Sequence, residues 1–548
     1  MQKQGKLELT WVGKYDEHKI EPRILVEDKS KSYGDPNSEN MLIHGDNLIA
    51  LQALQQDFSG RIKCIYCDPP YNINAANEHY DDYIENSMWL SLMAKRLELL
   101  STLLADDGVI LVQIDKEQSA YLKVLMDEVF SRESYITTIA VRMSATSGFK
   151  IEHSDKTIVK NTEYIHVYSK NLKIHPAYEE VGYDSHYSNI IKPDNDGIYK
   201  LCNLIDEEQV KNELKKYSLK PSTSSLQTLF EISDTFRTYV YENRDFIGRT
   251  HTAPAGAEKE KDYLLSILKK SDDVVAREYN GEKYYIKKTG NGFNQFIPIK
   301  LKYNMVDTTT SYSMQHSNIL GDWWDGFYLD MGNVDNEGDV YFKNSKKPER
   351  LIFRILNMFT DPNDIVLDSF LGSGTTAAVA QKMNRRWIGI EMGDHAYSLC
   401  KTRLDLVVDG KDSTGITPFV DWQGGGGYHF YELAPSLLVK NPVLPVYQVN
   451  PEYTFEMLCE AICKIEGFHY APTGRMHGQS SENRFIHITT EYINTEYVKS
   501  LLSTLGDGQS VLIYGYKMQS GMRLPDNVEV KKIPKDLLEK CDFESEVR

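Results

Sequence analysis

Two short motifs, about three hundred residues apart, constrain this chain more than any other feature. Asp68-Pro69-Pro70-Tyr71 closes the run Arg61 to Cys67, and Phe370-Leu371-Gly372-Ser373-Gly374 follows the run Asp364 to Asp368. Both runs are short, apolar and rich in β-formers, the pattern of strands buried on both faces of a parallel sheet. After Asp68 two prolines forbid helix or ladder continuation. In open α/β sheets the ligand crevice lies beyond the carboxyl ends of the strands. The expected fold class is therefore α/β, a doubly wound Rossmann-like sheet with loaded strand ends at two distant places in the chain.

The residue types at each end fit a chemistry. An exocyclic amine of a base is a poor nucleophile because its lone pair is delocalised into the ring. The Asp68 carboxylate and the rigid Pro69 carbonyl accept its two N–H bonds and favour a pyramidal nitrogen. Tyr71 stacks on a base that has left a duplex. Such a site needs no metal and no covalent intermediate, only positioning and desolvation. Taken alone, the tetrapeptide also reads as a strand followed by an Asp-Pro turn. At the second end, glycines let the backbone pass close to a ligand, and the predicted helix Thr375 to Met383 turns its amino terminus to the cleft. The next predicted strand, Arg386 to Ile390, ends in Glu391, where a carboxylate can take two ribose hydroxyls. That spacing also fits a dinucleotide-binding fold, but threonine replaces the third glycine and no oxidoreductase motif follows. A third strand end is Met41 to His44, followed by Gly45-Asp46-Asn47 and the predicted helix Leu48 to Phe58. Asp46 reads both as a ligand for the adenine amino group of a nucleotide cofactor and as a helix N-cap.

With these pieces the chain resembles the β-group of amino-DNA methyltransferases and, more narrowly, the modification subunit of type III restriction–modification systems. The strings that carry the resemblance include Leu9-Thr10-Trp11-Val12-Gly13-Lys14, His44-Gly45-Asp46-Asn47-Leu48, Asp68-Pro69-Pro70-Tyr71-Asn72 and Asp107-Gly108-Val109-Ile110. They continue with Glu163-Tyr164-Ile165-His166-Val167-Tyr168, Lys347-Pro348-Glu349-Arg350-Leu351-Ile352, Arg386-Trp387-Ile388-Gly389-Ile390-Glu391 and Trp422-Gln423-Gly424-Gly425-Gly426-Gly427. The resemblance implies methyl transfer from S-adenosylmethionine to adenine N6 in double-stranded DNA, since in that family an aspartate at the Asp68 position goes with adenine and a serine with cytosine. It implies catalytic roles for Asp68, Pro69, Pro70 and Tyr71. Cofactor contacts are implied from Asp46, Asp368, Phe370, Gly372, Gly374, Thr375 and Glu391, with Lys347 at the methionine end. It also implies a circularly permuted sheet, an inserted target-recognition domain, a C-terminal α/β extension, a homodimer and a separate helicase–nuclease subunit.

Composition sets the remaining bounds. A chain of 548 residues exceeds one compact domain. No apolar run is long enough to span a membrane, and the first residues do not read as a signal peptide. Seven cysteines make no disulfide scaffold. Cys64 and Cys67 read as structural thiols on a buried strand, and Cys459 and Cys463 as packed one helical turn apart. A bacterial cytoplasm fits this usage. The net charge of −17 is unusual for a DNA binder. The stretch Asn171 to Thr310 carries 20 Lys and Arg against 21 Asp and Glu, net −1, which leaves −16 to the rest of the chain. Basic groups at Lys211, Lys215, Lys216 and Lys220, at Lys269 and Lys270, and at Lys283, Lys287 and Lys288 are positioned to touch phosphates or to solvate a helix face. So are Arg142, Lys150, Lys156 and Lys160.

The organisation expected is an arm at 1–39, a first sheet segment at 40–170, a target-recognition domain at 171–310, a second sheet segment at 311–410, and a C-terminal interaction or dimerisation region at 411–548. Helices are expected at Trp89 to Leu104, Glu207 to Tyr217 and Tyr453 to Ile465. Strands are expected at Val109 to Ile114, Phe236 to Tyr241, Lys283 to Lys288 and Ser510 to Tyr514, and the glycine run Gly424 to Gly427 reads as a break. No phosphate-binding loop and no helicase motif set is recognisable. Besides a restriction-system subunit, a stand-alone adenine methyltransferase fits the sequence. Methylation of RNA or protein fits it less well, because such substrates need no large insert.

Overall fold

The two motif-bearing strands are neighbours. Ile62–Cys67 and Ile365–Asp368 run parallel, with Val366 opposite Cys64 and Leu367 opposite Ile65. The protein is described by a computed structural model over residues 8–16, 19–72, 84–146, 158–194, 197–290, 292–342, 346–481, 483–541 and 543. The chain divides into two compact units, one of Met1–His175 with Asp322–Arg548 and one of Pro176–Gly321.

The first unit holds an 11-stranded sheet. Its order from one edge is Leu25–Glu27, Gly427–Leu433, Met41–His44, Arg386–Glu391, Ile365–Asp368, Ile62–Cys67, Leu104–Ile114, Thr162–Ser169, Tyr135–Arg142 and Trp323–Trp324. The six strands from Gly427–Leu433 to Leu104–Ile114 are parallel. Thr162–Ser169 then runs antiparallel to both of its neighbours. On one face Ile65, Cys67, Ile110, Val112, Leu367 and Ile390 form a core with the helices Asn47–Phe58, Asn86–Leu103 and Lys116–Phe130. The alternate residues Leu42, Cys64, Tyr66, Leu111 and Val366 are also buried. On their side the helices Glu349–Phe359 and Thr375–Lys382 pack on each other and on the strands Ile62–Cys67, Ile365–Asp368 and Arg386–Glu391. The sheet is therefore wound on both faces, and its strands read as near-continuous apolar runs for that reason. Among the described residues no helix is long and apolar enough to cross a membrane.

The sheet extends beyond the segments expected to build it. Leu25–Glu27 and Tyr33–Gly34, within the supposed arm, pair with Gly427–Leu433. That strand lies past Gly410 and pairs in turn with Met41–His44. The glycine run is thus not a break. A Cβ on Gly427 would lie 2.3 Å from Asp35 N, and one on Gly34 would lie 2.4 Å from Gly426 O. Two backbones touch there, and side chains are excluded. After this strand the chain forms a five-stranded sheet running in sequence order from His469–Thr473 to Val528–Lys532. The helices Phe455–Ile465 and Thr495–Leu502 pack on it.

The second unit contains a closed barrel of Asn189–Pro193, Ile198–Asn203, Ile247–Thr252, Asp273–Tyr279, Glu282–Thr289 and Gly292–Pro298. Tyr312–Ile319 pairs with Tyr303–Asp307 and Tyr178–Glu180, which carries this unit past Thr310 to Gly321. The strand expected at Phe236 to Tyr241 is instead part of the helix Asp234–Glu242. Ser233 caps that helix through Phe236 N at 3.1 Å, and the helical pair Phe236 and Val240 is buried. Thr, Tyr and Val in a short window gave a β signal, and the cap with i,i+4 burial overrides it.

Candidate active site

At the carboxyl edge of the sheet the two motifs meet. Cys67 Sγ, at the last residue of its strand, lies 3.4 Å from Ser369 Oγ, one residue beyond the strand Ile365–Asp368. Here Asp68 leaves the amine strand. The Pro70 carbonyl accepts from Trp89 Nε1 at 2.9 Å, which fixes the turn after the prolines against the helix Asn86–Leu103.

Asp68 stands in a partly buried polar network. Lys347 Nζ donates to its Oδ2 at 2.6 Å. The Tyr71 hydroxyl lies 2.7 Å from Asp68 Oδ1 and 2.8 Å from Glu163 Oε2, so one proton serves two carboxylates. Gln113 Nε2 donates to Glu163 Oε2 at 2.6 Å, and Tyr66 donates to Gln113 Oε1 at 2.7 Å. Lys347 also lies 3.7 Å from Glu163 and 5.0 Å from the Tyr71 ring centre. Burial raises the Asp68 carboxyl above its ordinary range, and Lys347 only partly offsets this. Burial works against the Lys347 charge too, but Asp68 and Glu163 hold its pKa above the usual lysine value. Glu163 is partly buried, which works against its charge, yet Lys347, Gln113 and Tyr71 bring it below the usual range. Two carboxylates around one ammonium leave the pocket net negative, which suits a nitrogen that becomes positive during transfer.

Three members of this network were not anticipated as site residues. Glu163 appeared only inside a matching string, and Gln113 and Tyr66 lie inside apolar strands. A carboxylate early in Thr162–Ser169 and a glutamine late in Leu104–Ile114 were the available signals. Lys347, expected at the methionine end, hydrogen-bonds Asp68.

The glycine loop is braced from below. Asp368 Oδ1 accepts from Phe370 N at 2.9 Å and Oδ2 from Thr376 Oγ1 at 2.6 Å. Asp368 is buried, which pushes its carboxyl up to about 7. Gly372 and Gly374 have φ of +57° and +79°, the left-handed region that glycine enters without strain. Glu391 Oε2 accepts from Gly372 N at 2.7 Å, and its Oε1 accepts from Met392 N at 2.8 Å and Gly393 N at 3.1 Å. His395 Nε2 lies 3.0 Å from the same Oε1, and Phe342 covers the His395 ring at 5.4 Å. Glu391 therefore sits at the foot of the loop, but only 3% of it is exposed. Thr375 points inward, 2.8 Å from Arg403 Nη1. Arg403 also donates to Glu349 Oε1 at 2.7 Å, and Glu349 pairs with Lys382 at 2.8 Å, all with fully buried side chains.

Asp46 does cap its helix, accepting from Leu48 N at 2.9 Å and Ile49 N at 3.2 Å. Its other oxygen pairs with the buried Arg96 at 3.1 Å. Arg96 also holds Asn47, whose amide donates to Ser369 O at 2.7 Å. This ties the third strand end to the other two. The donor set fits a nucleoside-bearing cofactor: a glycine cradle, a carboxylate at the foot of its loop and a second carboxylate at an adjacent strand end. Among the described residues no group of three or more His, Cys, Asp or Glu is arranged to hold a metal. Lys150 and Lys156 lie outside the described residues.

The family profile described as DNA methylase, of the N6/N4 methyltransferase type, matches residues 62–402. The chain is 36% identical over 458 residues to the "Probable type III restriction-modification enzyme HindVI Mod subunit" of Haemophilus influenzae, covering 80% of this chain and 60% of that protein. It is 25% identical to the StyLTI Mod subunit of Salmonella typhimurium, covering 70% of this chain and 54% of that one. The chain thus spans well under two thirds of both. With the type II methyltransferase M.EcaI of Enterobacter cloacae it shares 26% identity over 75% of this chain and 80% of that enzyme. The profile takes in both motif strands and their parallel neighbours Leu104–Ile114 and Arg386–Glu391, more than half of the chain, and the chain belongs to the N6/N4 DNA methylase family.

Proposed function

We propose that this chain is a site-specific DNA methyltransferase that acts on adenine N6 in double-stranded DNA with S-adenosylmethionine as methyl donor. The observation that carries this reading is the meeting of the two motif ends, with Asp68 beside the glycine-loop strand and Cys67 against Ser369. S-adenosylmethionine, when bound, supplies an electrophilic methyl group on a sulfonium. Gly372 and Gly374 cradle it, with Glu391 and Asp46 as its polar partners. Asp68 and the Pro69 carbonyl accept the two N–H bonds of the amine and orient its lone pair, and Tyr71 packs on the base. The negative pocket stabilises positive charge growing on the nitrogen, and Asp68 receives the proton that the amine loses.

The biological setting is a type III restriction system in the bacterial cytoplasm. There the chain works as modification and recognition subunit, as a homodimer, beside a helicase–nuclease subunit. A second reading is a stand-alone methyltransferase, since the chain matches 80% of the type II methyltransferase M.EcaI but only 60% of the HindVI Mod subunit. A helicase–nuclease reading frame next to the gene supports the first, and its absence the second. Sequencing the methylome of an expressing strain tests the reaction itself. N6-methyladenine in one sequence motif is expected, and an unmethylated genome overturns the proposal.

Glu391→Ala is expected to weaken S-adenosylmethionine binding more than it slows the bound-state step. It removes an acceptor for Gly372 N and two further N–H groups, so the loop loses its foot. Calorimetry that finds unchanged affinity would make Glu391 a structural carboxylate only.

The unit Pro176–Gly321 is the part proposed to choose the DNA sequence. Each specific base contact contributes about 1–3 kcal/mol, so several side chains must reach a groove. The amine pocket alone cannot select one adenine in a genome. Exchange of this unit for that of a relative with another specificity should move the methylated motif with it, and a motif that follows the sheet or the C-terminal region would refute the assignment.

A further inference from the structure

We propose that Lys347 is a positioning residue for methyl transfer: it keeps the Asp68 carboxylate ionised and so sets the pH below which the reaction stops. The inference rests on the methyl-transfer reading above. Its basis is a count of protons. The Tyr71 hydroxyl lies 2.7 Å from Asp68 Oδ1 and 2.8 Å from Glu163 Oε2, and its one proton cannot fully satisfy both oxygens. Two carboxylates that converge on one phenol draw in a further positive charge, either a cation or a second proton. Lys347 supplies the cation, with Nζ 2.6 Å from Asp68 Oδ2 and 3.7 Å from Glu163 Oε2. Each Asp68 oxygen then has one protein donor and keeps a lone pair for the N–H bonds of the amine.

Gln113 decides which carboxylate takes a proton when the cation is lost. Tyr66 donates to Gln113 Oε1, which turns Nε2 to Glu163 Oε2 at 2.6 Å. A donor of this kind favours the ionised form of Glu163. Asp68 has no such amide among the described residues; its donors are Lys347 and Tyr71. Asp68 is therefore the group that protonates. The other groups facing it do not replace Lys347. Glu163 and Asp368 are carboxyl groups and act in the opposite sense. Tyr66, Cys67 and Tyr71 are held in their neutral forms by burial. Lys160 faces Glu163, but it is ion-paired with Asp115. Among the described residues Lys347 is the only cation within ion-pair distance of Asp68. Burial raises the Asp68 carboxyl and Lys347 lowers it, in keeping with this role. A protonated Asp68 is a poorer acceptor for the amine and cannot take the proton that the amine loses. Activity is thus present above the Asp68 titration and lost as pH falls through it.

The test is the single-turnover rate of methyl transfer against pH, over about pH 5 to 9. It uses the full chain, saturating S-adenosylmethionine and duplex DNA bearing the motif read from the methylome. Lys347→Met should move the acidic limb of the profile up by about 1–3 pH units, the effect of an opposite charge at this range. Below the new limb the rate should fall about 10- to 1000-fold, and it should recover as pH rises. Lys347→Gln covers the case in which Lys347→Met does not fold, and should show the same shift. Lys347→Arg keeps a cation beside Asp68 and should reverse most of it. S-adenosylmethionine affinity by calorimetry should not change. Profiles of the two neutral variants that superimpose on the wild type after scaling would overturn the inference alone. Such profiles together with weakened S-adenosylmethionine binding would place Lys347 with the cofactor and overturn it equally. Absence of methyl transfer by the wild-type chain at every pH would overturn the reading beneath it as well.

Discussion

Asp68→Ala is expected to abolish methyl transfer while leaving cofactor affinity close to that of the wild type. Loss of a buried charged acceptor costs about 2–4 kcal/mol in the transition state, or about 30- to 1000-fold in rate. The separation between the two readouts follows from the structure. Asp68 contacts Lys347 and Tyr71, whereas the glycine loop hangs on Asp368, Glu391 and Arg403. The substitution leaves Lys347 with Glu163 as its nearest carboxylate, at 3.7 Å, so the pocket stays partly neutralised and the fold should persist. Radiolabelled methyl transfer and calorimetry on one preparation check both halves. A turnover near wild type would remove Asp68 from the chemistry.

The largest expected loss of stability comes from Glu349→Ala. Glu349 is fully buried and faces two buried cations, Arg403 at 2.7 Å and Lys382 at 2.8 Å. It also accepts from Ile416 N at 3.0 Å. Alanine leaves Asp412 as the remaining carboxylate on Lys382, at 2.7 Å, and takes the carboxylate partner from Arg403. Breaking a buried pair from one side typically costs about 3–5 kcal/mol, because the surviving charge cannot reach water. Urea unfolding followed by tryptophan fluorescence should show a much lower midpoint. An unchanged midpoint would mean that water reaches Lys382 and Arg403 readily.

The strand ends were legible because each obeys a local rule. The runs before Asp68, Phe370 and Glu391 are too short and too apolar to be anything but buried strands, and proline or glycine fixes where they stop. What surrounds these ends was not legible, because it comes from far along the chain. Glu163 reaches the amine pocket from an antiparallel strand 95 positions after Asp68, and Lys347 from 279 positions after it. No local pattern marks either. The role expected of Lys347 came from resemblance alone, and its pairing with Asp68 is visible only in the structure. Glycine composition misled at Gly424 to Gly427 because close backbone packing and flexibility leave the same signature. The helix Asp234–Glu242 was misread because its window is too short for a period of 3.6 to stand out from one of 2.

Three consecutive residues give the chain a kind of axle. Lys347 reaches the amine pocket, Pro348 starts a helix, and Glu349 is anchored beneath the glycine loop through Arg403. A displacement of that first turn cannot alter one end without loading the other. On the proposed function, occupancy of the donor cradle and capture of the base are expected to be linked, and linkage is reciprocal: whatever factor one ligand adds to the affinity of the other is returned in full. On the proposed function, discharge of the methyl group would change the charge in the cradle, and the segment Lys347 to Glu349, with the Arg403 ion pair, is a route by which that change would register at the base.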